Sequence, residues 1–165
     1  MFDQLGGIPA HPLMVHIPVV LVPLAAIGVL AIVFRPRLMK SYGWVVLALS
    51  GIGFLGAIFA ASSGEALQEK FESAGQNIPS TLEDHIEMGD TAQVVAGVFF
   101  ALVVVWVLFA WWRRHAGEEK VTATVKQPKL INILLAVLVV IGGVAATTSV
   151  TVTGHSGAKS VWEKK

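Results

Sequence analysis

Four long apolar runs, at about residues 12–34, 43–62, 89–112 and 130–152, constrain this chain more than anything else in it. Each has roughly 20 or more residues, enough to cross a hydrocarbon core of about 30 Å at a helical rise of about 1.5 Å per residue. Hydrocarbon offers no partner to a bare backbone N–H or carbonyl, so such a run crosses as a helix. The whole chain is 55% hydrophobic and 14% charged, too apolar for a water-soluble domain of 165 residues. The connections are short. The expectation is an all-α membrane fold, a four-transmembrane-helix bundle forming one domain over 1–165 with the lipid bilayer as its surroundings. Allowing for the helix starts ahead of the hydrocarbon, the third and fourth spans read as about 86–112 and 129–152.

Charge orients the bundle. The first connection carries Arg35, Arg37 and Lys40, and the third carries Arg113, Arg114, Lys120, Lys126 and Lys129, together eight of the twelve Lys and Arg residues. The segment from Ser63 to Asp90 instead holds Glu65, Glu69, Glu72, Glu83, Asp84, Glu87 and Asp90 against Lys70 alone. The excess of Lys and Arg in cytoplasmic connections places the acidic segment and both termini outside (N-out/C-out), with Lys159, Lys164 and Lys165 mildly opposed. Trp111 and Trp112 beside the two arginines, and Trp44 at the start of span two, fit an inner aromatic belt. The first ten residues carry Asp3 and no basic residue. The first run is also too long for a signal-peptide core, so the first span reads as retained.

With this orientation, four of the five histidines gather at the outer end. His11 and His16 open span one, His85 opens span three, and His155 follows span four, whereas His115 faces inward beside two arginines. An imidazole is costly at the edge of hydrocarbon, and Pro12, Pro18 and Pro23 free carbonyls in the same stretch. The stretch from His11 to Pro23 therefore reads as the entrance to a polar site. His16 lies one turn deeper than His11. Five residues turn the helix by about 140°, so the two rings share a face only if the helix start is distorted or His11 reaches in from the cap. Ser80 and Glu83 have capping-box spacing, which starts the third helix ahead of the hydrocarbon and makes His85 helical.

Spans two and four supply small residues. Gly51, Gly53, Gly56, Ala57, Ala60 and Ala61 in span two allow close helix approach. Span four ends in Thr147, Thr148, Thr151 and Thr153, followed by His155 between Gly154 and Gly157. That segment suits either a polar pocket near a cofactor or a plain helix stop with a glycine cap. Glu65 is a candidate partner for an imidazole, with a solvated loop acid as the alternative.

The opening HPLMVHIP, the DHIEMG at span three and the TGHSGAKSVW after span four resemble a family of bacterial four-helix inner-membrane proteins catalogued as a domain of unknown function. Its members open with a His-Pro-Leu-x-Val-His-Phe-Pro-like motif and end span four near Thr-Gly-x-x-Gly-Gly. Ile17 here replaces the aromatic residue, and Gly157-Ala158 replaces the glycine pair. The matching positions are His11, Pro12, His16, Pro18, His85, Gly154 and Gly157. Relatives fused or adjacent to Rieske iron–sulfur or cytochrome modules imply an electron-transfer setting, and the family supplies no activity.

Three functions compete. The absence of cysteine excludes iron–sulfur clusters, thiolate zinc, covalent c-type haem and disulfides within the chain. Nothing in a net charge of +1 points to nucleic acid. A b-type haem held by His16 with His85 or His155, and with His11 nearby, would exchange electrons with quinone or an external partner. A non-haem metal site would draw on His11, His16, His85, His155, Glu65 and Glu87, with zinc, copper or iron as the divalent ion. An accessory subunit would use the same histidines only for interhelical hydrogen bonds. A proton or solute channel lacks a polar stripe through spans two and three.

Overall fold

Prolines and glycines set several of the helix boundaries in this protein. The computed structural model describes residues 4–5, 8–77 and 80–162. Asp3, Lys164 and Lys165, which entered the reading of charge, lie outside the described residues.

A two-residue antiparallel ladder, β1 (Gln4–Leu5) with β2 (Ile8–Pro9), leads into helix α1 (Ala10–Met14). Pro18 has no N–H to offer the Met14 carbonyl, and the helix is interrupted at Val15 before resuming as α2 (His16–Phe34). The path stays nearly helical, because Val15 N–H donates to the His11 carbonyl at 3.1 Å and Val19 N–H to the Val15 carbonyl at 3.3 Å. Arg35 precedes a proline and leaves helical geometry, with φ −132° and ψ 81°. A 3₁₀ turn, Pro36–Leu38, then reverses the chain into α3 (Met39–Ser73). Gly75, at φ +68°, ends α3 in a Schellman motif: Gln76 N–H donates to the Phe71 carbonyl and Gly75 N–H to the Glu72 carbonyl, each at 3.0 Å. Helix α4 (Ser80–His115) follows and begins where the capping-box spacing placed it. A short helix, α5 (Glu118–Thr124), precedes α6 (Pro128–Trp162), which has proline at its first position.

Among the described residues, four segments are long and apolar enough to cross a membrane: Ala10–Phe34, Pro36–Ser73, Leu82–His115 and Pro128–Lys159. The four-helix membrane architecture expected from the apolar runs is therefore present. Helices α3, α4 and α6 have 35, 36 and 35 residues. At about 1.5 Å per residue each is roughly 50 Å long and outlasts the hydrocarbon. At the histidine end, α3 carries Glu65, Glu69 and Glu72 on as helix, and α6 continues through Gly154 and Gly157 to Trp162. The glycines after span four therefore do not stop the helix, and His155 is helical.

Helix α2 packs on α3 and α6, and α4 packs on the same two, which closes a four-helix ring. Val22, Val29, Ile32, Phe99, Val103 and Val139 fill it. Gly56 allows α2 to lie directly on α3, since a side chain there would strike Ile17. Two polar atoms inside have no hydrogen-bond partner among the described residues, Trp106 Nε1 and Thr147 Oγ1. The ring has two unlike ends. One gathers α1, the end of α3, the start of α4 and the end of α6, with four histidines; the other gathers Trp111, Trp112, Arg113 and Arg114.

Candidate functional site

At the histidine end, His11 from α1 and His85 from α4 come together. Their ring centres are 5.9 Å apart with planes at 79°. His85 is 9% exposed and His11 is half-buried. Helix α1 packs on α3, and this sets His11 against Ala60, Ser63 and Gly64. His85 enters because α4 begins ahead of the apolar run, at a level where α6 is still helical beside it.

Hydrogen bonds anchor both rings through Nδ1. The Ala60 carbonyl can only accept, so His11 Nδ1–H donates to it at 2.8 Å. Ser63 Oγ donates to the same carbonyl at 2.9 Å and lies 3.5 Å from His11 Nδ1. Across the pair, Ser156 Oγ donates to the Thr153 carbonyl at 2.8 Å, which spends its proton. His85 Nδ1–H therefore donates to Ser156 Oγ at 2.9 Å. Both rings are thus anchored through Nδ1, and neither Nε2 has a hydrogen-bond partner among the described residues. One turn further along α4, Thr153 Oγ1 donates to the Met88 carbonyl at 3.1 Å and ties α6 to α4.

Two glycines make room for the rings. A Cβ at Gly157 would stand 2.7 Å from His85 Cε1 and 3.0 Å from its Nε2, and one at Gly64 would stand 3.2 Å from His11 Nδ1 and Cε1. Any side chain at Gly157 would displace His85.

The remaining candidates lie elsewhere. His16 is exposed on α2, and its Nδ1–H donates to the Pro12 carbonyl at 2.7 Å within its own helix. His155 is exposed on α6, and Glu65 and Glu87 are exposed on α3 and α4. The five-residue step from His11 to His16 keeps its large angular offset, so the two rings do not share a face. Among the described residues, no group of three or more His, Asp or Glu is placed to hold a metal ion together. His115 is exposed at the opposite end, its Nδ1–H on the Trp111 carbonyl at 2.8 Å.

The partners of the pair are Ser63 and Ser156, which sequence reasoning did not single out. A signal for Ser63 exists: Gly53, Gly56, Ala60 and Ser63 are all buried and follow one another in steps of three or four along one face of α3. Glu65, the acid proposed for that role, is two residues on and points away from that face. Ser156 stands one turn beyond Thr153, the last residue of the hydroxyl-rich segment.

Imidazoles that bind metal through one ring nitrogen usually anchor the other on an oxygen, as both rings here do through Nδ1. The 5.9 Å ring separation and the 79° angle are those of an edge-to-face contact, and the two rings are close enough that one ion could be shared between them. A porphyrin needs more, a slot between the rings. Gly157 already stands against the His85 ring, where a Cβ would lie 2.7 Å from Cε1 and 3.0 Å from Nε2. The donor set fits a bare ion more closely than a haem.

No curated protein and no solved structure matches the chain. Residues 7–165 match the family described as "Predicted membrane protein (DUF2231)", and the chain belongs to that family.

Proposed function

We propose that this integral membrane protein uses the His11–His85 pair as a two-nitrogen ligand site for a redox-active metal ion of the copper or iron class. The observation that carries this reading is the shared anchoring: both rings meet fixed oxygens of α3 and α6 through Nδ1, and neither Nε2 has a hydrogen-bond partner among the described residues. Imidazole nitrogen suits such ions, and two protein ligands leave positions open for an external ligand. The basic connections at the opposite end support an outer location for the pair, in an inner membrane with both termini outside. There the metal would exchange electrons with a quinone or with a Rieske or cytochrome partner.

The experiment is metal analysis of the detergent-purified protein, with absorption spectra of the oxidised and dithionite-reduced forms. Stoichiometric copper or iron without a Soret band is the expected result. A Soret band with sharp reduced α and β bands would establish haem instead. Folded, colourless, metal-free protein after growth with ample metal and haem would reduce the pair to an interhelical clamp. Since the chain has no cysteine, single cysteines at Gln76 and Ala116 test the orientation: an impermeant thiol reagent labels the first and not the second.

A further inference from the structure

A second cavity lies at the end of the bundle away from the histidines, with a volume of about 730 Å³ along the seam between α2 and α6. That is within the range of about 300–1,000 Å³ typical of small-molecule sites. Ile32 and Trp106 form its floor, 2% and 3% exposed, while Phe34, Val137 and Ile141 on its walls are exposed to the surroundings. Arg113 and Arg114, on the last turn of α4, stand on its lining, and no carboxylate does. Neither arginine is paired with a carboxylate among the described residues; Arg113 lies over the Phe109 ring at 5.8 Å. An apolar cleft open to hydrocarbon and ending at two guanidinium groups is complementary to one kind of molecule, an amphiphile with an anionic head.

We propose that this cleft is a binding site for an anionic phospholipid. One acyl chain lies along Val137 and Ile141 over Trp106, and the phosphate rests on Arg113 and Arg114. Guanidinium matches phosphate in a bidentate way, and basic sites between membrane helices select acidic lipids on this basis. A zwitterionic ethanolamine head would bring an ammonium group beside two guanidinium groups with no acid on the lining to receive it. The site is independent of the histidine pair.

The test is native mass spectrometry of the full-length protein with equimolar phosphatidylglycerol and phosphatidylethanolamine of identical acyl chains. The wild type should retain phosphatidylglycerol with a preference of about tenfold or more. Arg113→Gln with Arg114→Gln should bring that preference down to about twofold or less. Arg35→Gln with Arg37→Gln, which removes the same charge from the same end but off the cleft, should leave it intact. Ala136→Trp, which fills the cleft, should lower retention of both lipids. Equal retention of the two lipids by the wild type would overturn the proposal. So would an equal loss of preference in the Arg35 and Arg37 variant, since the charge of the whole end would then be acting.

Discussion

His11 and His16 stand five residues apart at the head of one apolar run, and the structure treats them in opposite ways. His11 is turned toward α3, where a carbonyl and a hydroxyl meet its Nδ1 and a second imidazole lies 5.9 Å away. His16 is exposed, and its Nδ1–H is satisfied by the Pro12 carbonyl of its own helix. His85 and His155 repeat the contrast on α4 and α6. Depth along the helix does not decide which imidazole is drawn in. A histidine is buried where the neighbouring helix offers an acceptor at the right level and a glycine beside it. Ala60, Ser63 and Gly64 do this for His11, as Ser156 and Gly157 do for His85.

Removing rings from the two pairs should break that contrast most sharply. His85→Ala deletes a buried ring that holds α4 to α6 and should destabilise the bundle by about 2–4 kcal/mol, read as a lower midpoint in thermal or denaturant unfolding. Ser156→Ala should cost less, about 1–2 kcal/mol, because it leaves the ring in place but strands a buried Nδ1–H. It should also weaken any metal bound at Nε2 by about 10–100-fold, measured by competition with a chelator. His16→Ala and His155→Ala should have the smallest effect, leaving both the unfolding midpoint and the metal content unchanged. If those two variants matched His85→Ala, burial would not be what separates the pairs.

Much of the fold was legible in the chain, for a physical reason. A run of about 20 apolar residues has few alternatives to a membrane helix, so the number of spans follows from run length. The helix ends were less legible. Hydropathy falls after residue 62, but helical geometry does not depend on hydropathy, and α3 continues through three glutamates until Gly75 supplies the left-handed turn. Gly154 and Gly157 suited either a helix stop or a polar pocket, yet inside α6 they are packing positions, with Gly157 against His85. The site was legible in part. The residue types and their level were visible, but which histidines meet depends on helix rotation, which the packing of α1 on α3 sets for His11. The partner of an imidazole was sought among the acids, whereas serines on the small-residue face provide it. A hydroxyl that already donates to its own helix's carbonyl can accept an imidazole N–H without bringing a charge into the bundle.

The most direct test of the histidine pair as a ligand site is metal content per protein in four purified single variants: His11→Ala, His85→Ala, His16→Ala and His155→Ala. The account predicts that the first two lose the metal bound by the wild type while remaining folded by circular dichroism, and that the last two keep it. Retention of metal in the first two with loss in the last two would contradict it and move the site to the exposed histidines.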